Sequence, residues 1–126
     1  MIAADTSTWI AFLEGDNGDD VELLDGALQG SQLWMIPVVL TELLSDPQLP
    51  DDASRLISDV PLVEIESGYW RRAGALRAKV LAKHRKARLG DALIAQSCID
   101  HGLALLTRDR DFRAFTGAAG LTLLAV

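Results

Sequence analysis

The chain has 126 residues, of which 49% are apolar and 24% are charged, and its formal net charge is −6. This length and composition predict one compact domain with a buried core and exclude a largely disordered chain. A single cysteine, Cys98, excludes an internal disulfide bond and favours a reducing compartment. The longest apolar run, residues 33–40, contains Pro37 and is too short to span a bilayer, and no signal peptide is recognisable. The sequence therefore predicts a soluble cytoplasmic protein.

Charge is distributed unevenly along the chain. Residues 1–66 carry 14 acids and one base, whereas residues 67–126 carry 11 bases and four acids. Eight of these bases lie between Arg71 and Arg88, with no acid among them. Such a segment suits phosphate binding, and it is equally typical of a solvated helix face. Both interpretations stay open on the sequence alone.

The predicted elements alternate between strands and helices. Apolar runs indicate the strands, while helical periodicity with glycine and proline punctuation indicates the helices. In chain order we predict a strand at 2–4, helices at 8–14 and 21–28, a strand at 33–36, helices at 38–45 and 51–59, a strand at 61–65, helices at 69–86 and 91–101, a strand at 103–106, a short helix near Phe112 and a strand at 121–124. This alternation predicts an α/β fold with a mainly parallel sheet covered on both faces.

Four acids recur near the ends of predicted strands. Asp5 follows the first strand, and Glu42 lies one turn into the helix after the second. Asp91 opens the helix before the strand at 103–106, and Asp109 follows that strand. Because right-handed crossovers bring the carboxyl ends of parallel strands to one edge, these four side chains can converge there. Helix capping by Asp5 or Asp109, and a helix-dipole role for Asp91, remain open alternatives.

Two of these acids have an unusual helical phase. Asp91 shares a predicted apolar face with Ile94 and Cys98, and Glu42 shares one with Val38. A carboxylate that faces a core is costly unless it is paired, and a bound cation would pair it. Oxygen ligands without histidine or cysteine nearby favour Mg²⁺ or Mn²⁺. Such ions can activate water and stabilise the displacement at a phosphodiester.

Four stretches of the chain together resemble the PIN-domain nucleases, and most closely the VapC toxins of toxin–antitoxin pairs. The matching stretches are residues 2–10, 38–44, 89–95 and 105–112. They follow the family's order and spacing and span nearly the whole chain. The resemblance implies a single PIN domain over residues 1–126, folded as an α/β/α sandwich with a central, mainly parallel sheet of about five strands. It also implies a metal-dependent endoribonuclease.

The resemblance also assigns roles to particular residues. It implies a catalytic quartet formed by Asp5, Glu42, Asp91 and Asp109. Three of these acids would hold one or two Mg²⁺ or Mn²⁺ ions: Asp5, Asp91 and Asp109. Supporting roles fall to Thr6, Ser7, Thr107 and Asp111, with Asp111 an alternative to Asp109 as the fourth acid. The basic candidates for RNA binding are Arg85, Lys86, Arg88 and Arg108.

The partners that the family implies are an RNA substrate, a VapB-like antitoxin that blocks the site, and a second copy of the chain in a homodimer, with no membrane involved. Two alternatives stay open: a PIN nuclease that processes RNA without an antitoxin, and a catalytically silent PIN-like protein that only binds a partner. Aspartate-dependent phosphatases and phosphorylated receiver domains fit less well, because a second acid is missing just after Asp5.

The large aromatic residues have two interpretations. Exposed aromatic rings can stack on RNA bases. Burial is the more usual fate of large aromatics, so we predict that Trp9 and Trp34 are core residues. The pair Tyr69–Trp70 is predicted to pack against a helix or at a dimer contact.

Overall fold

The computed structural model describes residues 1–124. Its strands are β1 (Ile2–Ala4), β2 (Leu33–Trp34) and β3 (Ala104–Leu106). Its α-helices are α1 (Thr6–Leu13), α2 (Asp19–Gln29), α3 (Pro37–Leu44), α4 (Asp51–Asp59), α5 (Tyr69–Ala82) and α6 (Leu89–His101), and two short 3-10 helices follow, η1 (Arg110–Phe115) and η2 (Gly117–Ala119). None of the helices in this part of the chain has the length and apolar character needed to cross a membrane.

The sheet is parallel and has β1 at its centre, in the order β2-β1-β3. Single parallel bridges extend it on both sides, from Met35 to Leu62 and from Leu105 to Leu123. The strands predicted at 61–65 and 121–124 are therefore reduced to one bridge each. Pro61 has no backbone N–H to donate, which limits pairing at that edge. The predicted α/β class with a parallel sheet flanked by helices is confirmed.

Local backbone chemistry sets the ends of the helices. The α1 helix begins at Thr6 because the Asp5 carboxylate accepts a hydrogen bond from the backbone N–H of Thr8. The α5 helix ends at Ala82, short of the predicted 86, because His84 adopts a left-handed conformation with φ 58°. The α6 helix ends where Gly102 adopts φ 62°.

The core joins the sheet to the surrounding helices. Trp9 is buried in it, as predicted, and so is Cys98, whereas Trp34, predicted to be a core residue, is only partly buried. Phe112 and Phe115 are also buried, which anchors η1 directly after β3. The segment between β3 and η1 is consequently held at the carboxyl edge of the sheet, beside the end of β1.

Candidate active site

The carboxyl ends of β1 and β3 meet at one point of the sheet edge. The backbone N–H of Asp5, directly after β1, donates to the carbonyl oxygen of Leu106 at 3.0 Å. Thr107 is the next residue of the chain, and its hydroxyl donates to Oδ2 of Asp5 at 2.6 Å. The convergence expected from parallel topology is therefore observed for the residues after these two strands.

Asp5 is the buried centre of the site, with 3% of its surface exposed. Its Oδ1 accepts hydrogen bonds from the Ser7 hydroxyl at 2.7 Å and from the backbone N–H of Thr8 at 3.1 Å. Burial nevertheless raises the pKa of this carboxyl above its usual value, and the charge of Asp109 adds to the rise. The supporting positions predicted for Ser7 and Thr107 thus coincide with direct contacts to Asp5.

Asp91 and Asp109 complete an acidic centre with Asp5. Asp91 is partly buried near the start of α6. Burial, followed by the charge of Asp109, raises the pKa of Asp91 to about 6; Asp5 and Asp111 add to the rise and Arg88 opposes it. The charges of Asp5, Asp109 and Asp111 thus act on the Asp91 carboxyl, which charges do strongly only at short range.

Asp109 is fixed by its neighbours in the chain. Its backbone N–H donates to the Thr107 hydroxyl at 2.9 Å, and its Oδ1 accepts from the backbone N–H of Asp111 at 2.9 Å. The same carboxylate thus caps η1 and takes part in the acidic centre. Asp109, like Asp5, therefore caps a helix, and its role in catalysis stays a prediction.

Glu42 differs from its predicted setting. The sequence places it on an apolar face of α3, but the structure leaves it exposed, because Val39 and Leu43 form the buried face of that helix. Oε1 of Glu42 accepts a hydrogen bond from the Thr6 hydroxyl at 3.1 Å, and Thr6 adjoins Asp5. Glu42 is therefore linked to the site through Thr6, at its rim.

Comparison with known proteins identifies the fold and the family. A family model described as "PIN domain" matches residues 2–118. The chain belongs to the PIN-domain family.

Solved structures with the same PIN fold cover nearly the whole chain. A DNA-bound VapBC complex from Salmonella typhimurium aligns with a TM-score of 0.74 and 20% identity over 98% of each chain. VapBC-5 from Mycobacterium tuberculosis aligns at 0.69 and 23%, over 99% of this chain and 98% of the other. VapC20 from the same organism, described as a sarcin-ricin loop cleaving toxin, aligns at 0.61 and 20% over 98% of each chain. No curated protein matches the chain.

The donors of this PIN-domain centre suit a hard cation. They are carboxylate oxygens with hydroxyl oxygens beside them, the ligand types that Mg²⁺ and Mn²⁺ prefer. Burial, with the charge of Asp109 adding to it, raises the pKa values of Asp5 and Asp91, and a bound cation would favour their charged forms. Within residues 1–124, however, no three acidic, histidine or cysteine side chains form a ready-made metal-binding group. The chemistry of these donors therefore fits a divalent ion.

The predicted RNA-binding bases have different surroundings. Nζ of Lys86 lies 3.3 Å from Oδ2 of Asp111, and Nη1 of Arg88 lies 3.9 Å from Oδ2 of Asp109. Both side chains are more than half exposed, and Arg85 is exposed between α5 and α6. Lys86 and Arg88 therefore lie on one flank of the acidic centre, while RNA binding by Arg85 stays a prediction.

Arg108 instead forms a clamp with the start of α2. Its Nε and Nη2 donate to Oδ2 and Oδ1 of Asp20 at 2.7 and 3.0 Å, and Nη2 also donates to the carbonyl oxygen of Asn17 at 2.6 Å. Asp20 is 4% exposed and also accepts from the Thr8 hydroxyl at 3.0 Å. The bond from Arg108 keeps the pKa of Asp20 below its usual value. RNA binding by Arg108 stays a prediction; its observed contacts hold the loop after β3.

Sequence reasoning did not find this clamp. Asp20 is one of three acids in the first turn of α2, with Asp19 and Glu22, and resembles them in composition. Its one distinguishing signal is helical phase, because it lies four residues before the buried Leu24. Its partner Arg108 is 88 residues away in the sequence, so this pair is recognisable only once the chain is folded.

Proposed function

We propose that this chain is a VapC-type endoribonuclease that hydrolyses RNA phosphodiester bonds and needs a divalent cation. The observation that carries the proposal is the acidic centre formed by Asp5, Asp91 and Asp109 at the carboxyl edge of the sheet, with the pKa values of Asp5 and Asp91 raised. Clustered carboxylates with raised pKa values are typical of sites that exchange protons or bind cations. Membership of the PIN-domain family supports the same reading.

The residues of the centre have distinct tasks in this proposal. Mg²⁺ or Mn²⁺, held by Asp5, Asp91 and Asp109, would supply an activated water and stabilise the charge that develops on the phosphate. Thr107 and Ser7 orient the two oxygens of Asp5 through hydrogen bonds of 2.6 and 2.7 Å. The charge of the cation would offset the burial and the charge of Asp109 that raise the pKa of Asp91 in the chain alone. Water attack leaves a 5′-phosphate and a 3′-hydroxyl.

The test is cleavage of total tRNA and ribosomal RNA by the purified chain, with Mg²⁺ or Mn²⁺ and with EDTA. Asp5→Asn preserves the helix cap, because asparagine caps as well as aspartate, and removes the charge. We expect it to lower the cleavage rate by about 100-fold or more. Glu22→Gln, which neutralises an exposed acid of α2, is the matched control and should cleave like the parent. Cleavage that persists in EDTA, or products ending in a 2′,3′-cyclic phosphate, would contradict the mechanism.

A VapB-like antitoxin is the partner that we propose for this site. Structural relatives of the chain include VapBC complexes. An apolar groove of about 590 Å³ lies between α1, α3 and α4, with Glu42 at the end nearest the acidic centre. Three further acids line it, Glu14, Asp46 and Asp52, so a segment with apolar and basic side chains would fit. Growth arrest by this chain, relieved by co-expression of a small neighbouring gene, is expected; arrest that no neighbour relieves would favour an RNA-processing nuclease without an antitoxin.

We also propose that the chain is a homodimer. Tyr69 is buried and its hydroxyl donates to the carbonyl oxygen of Leu93, so only Trp70 of the predicted aromatic pair remains available, with 65% of its surface exposed. Leu81, further along the same helix, and Leu89 at the start of α6 are exposed as well. Light scattering that gives the mass of a monomer at every concentration would refute the dimer.

A further inference from the structure

A cleft of about 750 Å³ opens beside the acidic centre. Thr107 and Asp109, which belong to the centre, line one wall, and Asn17 and Asp19 before and in α2 line another. This cleft is separate from the apolar groove, since the two share no lining residue. An RNA strand that passes over the acidic centre towards the segment after β3 would enter this cleft.

Two arginines of this cleft carry charges that no ion pair within residues 1–124 neutralises. Arg110 and Arg113 line it and are both exposed. Neither forms an ion pair with any acid in residues 1–124, whereas Arg108 beside them is paired with Asp20. They stand three residues apart in η1, and in a 3-10 helix such side chains project from the same side.

The other basic groups near the centre are placed differently. Lys86 and Arg88 reach the acids themselves, Asp111 and Asp109, and so offset the charge of the centre. Lys79 and Lys83 line a separate cleft of about 300 Å³ between α5 and η2, which none of the centre's acids lines. Among residues 1–124, only Arg110 and Arg113 combine a charge that forms no ion pair with a cleft that Asp109 also lines.

We propose that this cleft, which we call the arginine cleft, is a subsite for the sugar-phosphate backbone of single-stranded RNA next to the scissile bond. An acidic centre repels phosphates, so a nuclease needs cationic groups beside it to hold the strand. The guanidinium groups of Arg110 and Arg113 bind phosphate oxygens in a bidentate manner and fix the strand's position without reading its sequence. The buried Phe112 and Phe115 keep η1 in place, so both arginines start from a rigid support. The subsite rests on the proposed function, since it assumes that RNA crosses the acidic centre.

The test measures RNA binding separately from cleavage. Fluorescence anisotropy with a short labelled single-stranded RNA of random sequence, in EDTA, gives the dissociation constant over a series of NaCl concentrations. The variant is Arg110→Ala with Arg113→Ala. Lys79→Ala with Lys83→Ala is the matched control, because it removes the same charge from exposed positions in the other cleft. We expect the arginine variant to bind about 10-fold more weakly or worse, and its salt dependence to fall by about 1.4 in slope, the value for two contacts to single-stranded phosphates.

The outcomes separate this inference from the function it depends on. Unchanged binding by the arginine variant, or an equal loss in both variants, would overturn the subsite while leaving the nuclease intact. A parent chain that binds no RNA in EDTA would overturn the subsite alone, whereas a parent chain that cleaves no RNA with Mg²⁺ or Mn²⁺ would overturn the proposed function. Arg110→Lys with Arg113→Lys adds a second readout, because it keeps the charge and loses the bidentate geometry; intermediate affinity is the supporting result. In the cleavage assay the arginine variant should show a raised KM with little change in kcat, and a fall in kcat alone would contradict a binding subsite.

Discussion

At the scale of single residues, Asp5 meets two demands at once. One oxygen caps α1 and accepts from Ser7, while the other accepts from Thr107, which follows the neighbouring strand. These bonds stabilise the charged form, yet burial outweighs them and raises the pKa. A carboxylate kept buried at such a cost, next to two others, is better explained by a site than by capping alone, because a solvated cap would serve the helix as well.

Asp91 gives this electrostatic arrangement a measurable pH dependence. Its folded-state pKa is about 6, against the ordinary 3.8. A raised pKa means that the folded chain holds the proton more tightly than the unfolded one. The contribution of protonated Asp91 to the free energy of unfolding is therefore complete below about pH 4 and is lost as the pH rises through about 6. The full shift would correspond to about 3 kcal/mol. Since Asp91 is partly solvated, we expect about 1–2 kcal/mol.

Asp91→Asn should therefore be more stable than the parent at about pH 7.5 in EDTA, and this advantage should vanish near pH 4. Urea unfolding at the two pH values measures the difference. Glu22→Gln, an exposed acid at the start of α2, serves as control and should show no such gain. An Asp91→Asn chain that is less stable than the parent at the higher pH would show that the carboxylate is favourably paired instead.

At the scale of elements, the positions of the helices follow from the sequence, and their ends follow from local chemistry. The predicted bounds of α4 match the structure, because its acids and flanking prolines mark the start and end clearly. The strands predicted at 61–65 and 121–124 were too long, because pairing at a sheet edge depends on partners that an apolar pattern does not specify.

The same distinction applies to the candidate site. The meeting of Asp5 with Thr107 was predictable, since parallel strands bring their carboxyl ends together. The exposure of Glu42 was not, because a short apolar helix offers several possible buried faces. The clamp between Arg108 and Asp20 joins residues 88 positions apart, and nothing local marks them as partners.

A substitution at Gly18 provides a test of the clamp between Arg108 and Asp20. It precedes α2 with φ 147°, a conformation open to glycine alone, and a Cβ there would lie 2.6 Å from both Nη2 of Arg108 and Oδ1 of Asp20. We expect Gly18→Ala to lower the free energy of unfolding by roughly 2–3 kcal/mol, from backbone strain and displacement of Arg108. Urea unfolding measures this change.

Gly26, inside the helix that Gly18 precedes, is the control. A Cβ at Gly26 meets nothing within 4 Å, and the residue is helical. Gly26→Ala should raise stability by about 0.5–1 kcal/mol, because alanine loses less backbone entropy on folding. Similar losses in both variants would mean that α2 is simply intolerant of substitution and that the clamp has no special cost.

At the scale of the whole molecule, the uneven charge of the chain acquires a spatial meaning. The first half contributes Asp5 to the acidic centre and almost no bases, while the second half contributes Asp91 and Asp109 together with the arginines beside them. The net charge of −6 is therefore the sum of an acidic centre, which repels phosphates, and basic side chains beside it, which attract them. A divalent cation would reverse the local sign where the two meet.

A cation that binds the folded chain and not the unfolded chain should raise the thermal stability of the protein by mass action. With Mn²⁺ at about a hundredfold excess over its dissociation constant, we expect the Tm to rise by roughly 5–10 °C. Asp91→Asn should lose most of this rise, because one of three ligands is neutral, and Glu22→Gln should keep it. NaCl at the same ionic strength separates specific binding from screening of the clustered acids. A rise that NaCl reproduces, or that Asp91→Asn retains in full, would mean that Asp5, Asp91 and Asp109 repel one another without sharing an ion, and the proposed nuclease would then need another source of activated water.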